Sequence, residues 1–175
     1  NTDAEEHWVL LPGDSIWQSR APFPMPRGHV AAVATDQYVW LFGGNVGHDP
    51  IPVDRAEVHR YDVLADRWES LPSMPLPLSH AEPSTLMLSH DVLLAGGRSR
   101  PTGTQNVGDL LAMRLRDGSW RNVGRLPVPM LGGIAVPWMD SIVLGLGSDI
   151  GDQPRSNRLW KGSLHQTWRP GAPMP

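Results

Sequence analysis

Tryptophan returns along this chain at Trp17, Trp68, Trp120 and Trp168, at separations of 51, 52 and 48 residues. That period limits the fold more than any other feature. A repeat of about 50 residues is one supersecondary unit that cannot bury its apolar face alone, so successive units must stack. After each of the first three Trp the same order of events follows. A Pro-rich connector comes first, at Pro24-Met25-Pro26, Leu71-Pro72-Ser73-Met74-Pro75 and Leu126-Pro127-Val128-Pro129. Then come small residues, as in Gly28-His29-Val30-Ala31-Ala32, Ser79-His80-Ala81 and Gly132-Gly133-Ile134-Ala135. An apolar run then ends in glycine: Tyr38 to Gly44, Val92 to Gly97, and Ile142 to Gly147. After a polar loop, each unit closes with a short strand: Val58 to Asp62, Leu110 to Leu115, and Arg158 to Lys161.

Each unit therefore reads as four short strands separated by turn signals, with no stretch of helical period. Arg116-Asp117-Gly118-Ser119 predicts a tight hairpin turn between the third and fourth strands of the second unit. Glycine at a strand end lets the backbone leave the sheet at positive φ and lets neighbouring units crowd together. A periodic Trp fills the gap that sheet twist opens between neighbours. All-β blades of this length are propeller blades.

The chain resembles the kelch family. The resemblance rests on Gly43-Gly44 and Gly96-Gly97, on Arg27-Gly28-His29 before the innermost strand, and on Tyr61-Asp62 with Trp68 seven residues later. It covers residues 8–175. The third unit departs, with Leu146-Gly147 for the doublet and no Tyr-Asp pair, which puts its loop geometry in question. The expected architecture is an all-β kelch-type β-propeller of about three four-stranded blades plus a partial one. It divides into an N-terminal segment with outer strands (1–27) and blades at 28–77, 78–129 and 130–175.

Propellers close with about 4 to 8 blades, so this set is half of a six- or seven-bladed ring. An open wedge would leave apolar faces at both ends. Two partners are expected to cover them: the remaining blades of a longer propeller, or a second copy in a head-to-tail ring. The start at Asn1 without Met, and the stop within Trp168 to Pro175, read as processing or a cut. The acidic start Asp3-Ala4-Glu5-Glu6 favours a periplasmic or secreted protein over a cytoplasmic one.

Composition removes several function classes. With 14 Arg, one Lys and a net charge of −3, no basic run marks a nucleic-acid stripe. No apolar run approaches the roughly 18 residues of a membrane span. The absence of Cys excludes disulfides, thiolate metal sites and a Cys nucleophile. It also excludes the Cys-modified Tyr that copper requires in the galactose oxidase propeller. The seven His show no metal-ligand spacing, so no metal or other cofactor is expected. No Gly-x-Ser-x-Gly elbow is present. Gly145 to Gly151 misses the dinucleotide spacing by one residue.

Function is expected on the blade face that carries the long 2–3 loops and the 4–1 connectors, since loops on a rigid scaffold hold ligands. The first loop offers Asn45, His48, Asp49, Asp54 and Arg55; the second offers Arg98, Arg100, Gln105, Asn106 and Asp109; the third offers Asp149, Asp152, Arg155 and Asn157. The connectors add Arg27, His29, His80 and Glu82. The candidate ligand-binding set is Arg27, His29, Asn45, Arg98, Arg100, Asn106, Asp149 and Arg155. Guanidinium groups around a funnel suit a carboxylate. His80 and Glu82, two apart on an expected strand, share a face and form a weak candidate acid–base pair. Structural roles compete at every one of these positions, because solvated loops are polar in any case.

Ala135 to Leu144 is similar to the corresponding stretch of bacterial sialate mutarotases (N-acetylneuraminate epimerases), kelch propellers about twice this length. That resemblance implies interconversion of sugar-acid anomers. Arg27, Arg98, Arg100 or Arg155 would clamp the carboxylate, and Glu82 or His80 would move the proton. Three readings follow: a non-catalytic scaffold for a protein or carbohydrate ligand, a sialate mutarotase-like isomerase, or an engineered or excised propeller half that assembles with other blades.

Overall fold

The computed structural model describes residues 3–47, 51–101, 105–148, 156–164 and 166–175. Strands β1 (His7–Val9) and β2 (Gln18–Arg20) pair as a hairpin. The first blade is an antiparallel sheet of β3 (Ala31–Ala34), β4 (Tyr38–Phe42), β7 (Val58–Asp62) and β8 (Arg67–Leu71). Between its second and third strands, β5 (Asn45–Val46) and β6 (Val53–Asp54) form a small separate hairpin. A 3-10 turn (Glu82–Ser84) leads into the second blade of β9 (Thr85–Leu88), β10 (Asp91–Ala95), β13 (Asp109–Arg114) and β14 (Trp120–Arg125). Its loop carries the hairpin of β11 (Arg98–Ser99) and β12 (Gln105–Asn106). The third blade is β15 (Ile134–Trp138), β16 (Ser141–Gly145), β17 (Leu159–Ser163) and β18 (Gln166–Pro170). Among the described residues no helix is long and apolar enough to cross a membrane.

The unbroken apolar run of β10 has a direct cause. Side chains alternate across a strand, and both faces of this blade are covered. Val92 and Leu94 enter the seam with the first blade, where they join Trp40, Phe42, Val58, Leu111 and Met113. Leu93 and Ala95 enter the seam with the third, beside Leu110, Ala112, Ala135, Ile142 and Leu144. Each large side chain so buried contributes about 1.5–3 kcal/mol.

The periodic Trp ties one unit to the one before it. Trp68 donates its indole N–H to the Ala21 carbonyl at 3.0 Å, and Trp120 does the same to Pro72 at 3.1 Å. Trp120 also meets Phe42 edge-on at 6.0 Å. Asp66 fastens the first junction further, accepting from Tyr61 at 2.6 Å and from the Ala21 N–H at 2.9 Å. Burial, and then this bond to Asp66, push the Tyr61 hydroxyl up to about 12.

The glycine doublets sit where the chain leaves each second strand, with φ of 57° and 93° at Gly43 and Gly44 and 82° and 112° at Gly96 and Gly97. The third blade keeps this turn despite its different sequence. Leu146 and Gly147 hold φ of 61° and 71°. Ser156 N donates to Gly147 O at 2.7 Å, as Arg55 N does to Gly44 O at 2.8 Å and Val107 N to Gly97 O at 2.9 Å. The physical difference lies next door. A Cβ on Gly43 would stand 2.0 Å from Leu78 O, and one on Gly96 would stand 2.8 Å from Met130 O, both carbonyls of the following blade's connector. Among the described residues no following blade packs on Leu146, which therefore bears only the backbone strain, about 1–2 kcal/mol.

Two local expectations need correction. The segment from Arg116 to Ser119 belongs to a five-residue loop between β13 and β14 rather than a tight turn. In it Gly118 is left-handed at φ 68° and donates to Arg114 O at 2.9 Å. Glu82 opens a 3-10 turn and does not lie on a strand with His80, because Pro83 lacks the N–H a strand would use.

At both ends of the blade series, large apolar side chains stay exposed: Trp8 (51%) and Trp17 (59%) on the hairpin, Val136 (43%) and Trp138 (55%) on the third blade.

The junction between the hairpin and the first blade holds a titrating group. His59 is buried edge-on to Phe23, 5.5 Å between ring centroids, and Arg27 Nη2 lies 3.2 Å from its Nδ1. Burial first, and then the Arg27 charge, hold its pKa below the ordinary imidazole value. The folded state therefore binds fewer protons than the unfolded chain below about pH 6.5. Its contribution to stability is fully present above that pH and is lost as pH falls through the lowered value. The melting temperature should fall between pH 7 and pH 5, and the fall should be smaller in His59→Asn. An equal fall in both proteins would exclude His59 as the source.

Candidate functional site

The antiparallel order of each blade puts the 2–3 loops and 4–1 connectors at one end of the strands. There the structure ties them into a continuous belt. Gly28 pairs with Asn45, Ser79 with Arg98, and Leu131 with Ser148, each a backbone bridge between a blade's connector and its own loop. The residue after each connector position is left-handed: His29 at φ 51°, His80 at 59° and Gly132 at 59°. Histidine is among the non-glycine residues that tolerate this region best. The same backbone requirement in two successive blades thus presents two imidazoles side by side. Their rings stack with centroids 3.8 Å apart and planes 16° from parallel.

Glu82, thrown out of the strand by its 3-10 turn, reaches back across the blade boundary. Its Oε1 lies 3.1 Å from His29 Nδ1, and both side chains are about one-third exposed (35% each). With the carboxylate ionised, Nδ1–H of His29 donates and the basic lone pair falls on Nε2. A carboxylate-oriented imidazole of this kind can take or give a proton.

His80 is held from the other side. Ser79 Oγ donates to Asp54 Oδ1 at 2.7 Å and lies 2.8 Å from His80 Nδ1. Because the single hydroxyl proton goes to Asp54, His80 Nδ1–H is the donor in the second contact. Asp54 is the centre of this network. Its side chain is fully buried, accepts from the Arg100 backbone N–H at 2.6 Å, and forms an ion pair with the Arg100 guanidinium.

The expected site residues divide as follows. His29, His80 and Glu82 meet, although the partner of Glu82 is His29 and not His80. Arg100 joins the network, with its guanidinium engaged by Asp54. Arg98 is buried, and its backbone pairs with Ser79 at 2.7 and 2.9 Å. Asn45 is 1% exposed and bonds Gly28 through its backbone at 2.8 and 2.9 Å. Asn106 donates to Ser148 O at 2.9 Å, joining the second loop to the third. Arg27 is drawn into the hairpin junction, over Phe23 at 4.9 Å and bonded to Glu57 O at 3.2 Å. Burial there lowers its pKa to about 10, so it stays charged at neutral pH. Asp149 and Arg155, like His48, Asp49 and Asp152 of the loops, lie outside the described residues. Among the described residues no three His, Asp or Glu side chains gather as a metal site would need.

Ser79 and the pivotal role of Asp54 escaped sequence reasoning. A signal was present in the repeat. Asp54 pairs with Asn45 in the first loop hairpin and Asn106 pairs with Arg98 in the second, so the two occupy the same position. Both use it to bond the next blade's belt.

Comparison with known proteins agrees with this architecture. Residues 26–75 match the kelch motif. A kelch repeat-containing protein of Arabidopsis thaliana is 26% identical over 192 residues, covering 97% of this chain and 44% of that protein. N-acetylneuraminate epimerase 1 of Escherichia coli is 26% identical over 195 residues, covering 90% of this chain and 52% of the enzyme. The solved structure of YjhT superposes with a TM-score of 0.82 at 17% identity, over 98% of this chain and 60% of that one. The chain spans about half the length of these curated relatives. Repeat, blade topology and similar proteins converge on a kelch-type β-propeller fold, with the kelch motif itself matched at residues 26–75.

Proposed function

We propose that the chain is a propeller scaffold whose loop-and-connector belt binds a carbohydrate acid, with His29, His80 and Glu82 at the contact. The observation that carries this reading is the cross-blade meeting of the two stacked imidazoles with the Glu82 carboxylate. Polar groups held in place by backbone geometry, and still partly open to solvent, are what a sugar's hydroxyls and carboxylate require. N-acetylneuraminate is the probe of choice, because one relative of similar sequence is named for that sugar acid. By calorimetry, His29→Asn should weaken its binding at least about ten-fold, the scale of one charge-assisted hydrogen bond. Equal affinity in the variant and the parent, or no heat with the parent, would contradict the reading.

A second reading has its own support in the His29–Glu82 pair, which is arranged as a carboxylate-oriented base. In that case the site would exchange the anomers of the sugar acid: the base takes the anomeric hydroxyl proton as the ring C–O bond breaks and the ring oxygen accepts a proton, and the reverse steps close the open-chain keto acid on the other face. Exchange NMR on N-acetylneuraminate should then show acceleration that Glu82→Gln lowers by about 10²-fold or more. Binding without acceleration would leave the scaffold reading alone.

A further inference from the structure

The opposite end of the strands carries a second feature, remote from the belt. Between the first and second blades a cleft of about 610 Å³ opens, lined by Tyr38, Trp40, Arg60, His90, Arg114, Leu115 and Arg116. Its size falls within the roughly 300–1,000 Å³ of small-molecule sites. The walls are mainly apolar, while four of the seven lining residues carry nitrogen cations or an imidazole.

Charge at the rim is only partly offset locally. Glu69 pairs with Arg60, whose guanidinium lies over the Tyr38 ring at 4.3 Å. Asp117 stands 3.9 Å from Arg116, whose side chain is 85% exposed. Asp91, which faces Arg114 across the strand pair, is bound by Arg121 at 2.5 and 3.2 Å. Among the described residues no carboxylate forms an ion pair with Arg114, although the charges of Asp91, its cross-strand neighbour, and of Asp117 act on it. One lining residue carries an unused donor beneath the cleft wall. Trp40 is 3% exposed, and its buried indole N–H finds no acceptor among the described residues. A buried donor left unpaired costs about 1–3 kcal/mol and asks for an explanation.

The neighbouring seam serves as an internal control. At the same end, between the second and third blades, a cavity of about 260 Å³ is lined by Asp140, Ser163 and Leu164 among others. Register equates Ser163 with Arg114, since Ser141 and Asp91 open equivalent strands. Asp140 precedes Ser141 as His90 precedes Asp91. Twist between blades therefore does not by itself create a large cationic cleft; the first seam has one because of its own residues.

We infer that this cleft is a binding site for a small organic anion with an apolar body, an aryl or short alkyl carboxylate. The apolar part would lie against Trp40, Tyr38 and Leu115. The carboxylate would meet Arg114 and Arg116 at the rim, and the bound apolar body would change the surroundings of the Trp40 indole.

The test uses the full chain with 4-phenylbutyrate and its neutral analogue 4-phenyl-1-butanol. Calorimetry should give a dissociation constant of about 1 mM or tighter for the carboxylate, as its size permits. The alcohol should bind at least about five-fold more weakly, the margin expected of a charge-assisted contact. In 15N-labelled protein the Trp40 indole signal, assigned through Trp40→Phe, should shift on addition of the carboxylate. Should that variant not fold, calorimetry decides alone. The double variant Arg114→Gln/Arg116→Gln alters exposed side chains, so its melting temperature should match the parent, and its affinity for the carboxylate should drop to that of the alcohol. No binding at about 10 mM, equal affinity for the two probes, or an unchanged double variant would each overturn the assignment.

Discussion

Gly43→Ala should destabilise the chain by about 2–5 kcal/mol, the sum of left-handed strain and overpacking. The new methyl would stand 2.0 Å from Leu78 O, 2.7 Å from Met74 Cε and 3.1 Å from Arg55 O. Two of those contacts are backbone, so no side-chain rotation can relieve them. Leu78 also accepts from Gly44 N at 2.8 Å and donates to Arg55 O at 2.9 Å. Moving it breaks the belt between the first two blades and loosens the seam beneath. Gly13 provides the control. It is also left-handed, at φ 90°, but has nothing within 4 Å of the Cβ position. Gly13→Ala should cost only the strain, about 1–2 kcal/mol. Urea denaturation of the two variants against the parent measures both. Equal losses would mean that close approach of the next blade is not why the doublet is glycine.

Asp54→Ala should cost about 3 kcal/mol, within the range for breaking a buried ion pair. The carboxylate is fully buried and joins three elements: the first loop, the Ser79 connector and the Arg100 loop. Its loss leaves the Arg100 N–H and the Ser79 hydroxyl without their acceptor. Adding Arg100→Ala to Asp54→Ala should change little more, because the two side chains act as one unit. A cost below about 1 kcal/mol for Asp54→Ala, or strict additivity in the double variant, would show that the pair is a surface ornament of the kind exposed ion pairs often are.

The blade architecture was legible in the sequence because its causes repeat. Left-handed glycines, an indole that must reach the previous unit, and strands covered on both faces each impose a residue type at a fixed interval. The third blade shows the limit of this. Leu146 broke the glycine pattern without breaking the turn, since residue preference there combines two requirements and only one applies.

The site was less legible, for a physical reason. Its contacts join different blades: His29 to Glu82, Asp54 to Arg100, Asn106 to Ser148. Spacing along one strand says nothing about which loop tips meet after stacking. Hence sequence spacing points Glu82 at His80, its neighbour, whereas a 3-10 turn delivers it to His29. Burial was equally hidden. Arg27 and Arg98 look like loop cations in sequence, yet one closes a hairpin junction and the other is enclosed in the belt. The cleft at the far end depends on Trp40 and Arg60 facing Arg114 across a seam, a relation that exists only after the blades dock.

The most direct test of the account is a titration of histidine-labelled protein with N-acetylneuraminate, followed by the ring resonances of the imidazoles. The account predicts saturable shifts at His29 and His80 together, with His59, buried in the hairpin junction, unmoved. Shifts confined to other histidines, or none at saturating sugar acid, would contradict the placement of ligand binding on the connector belt.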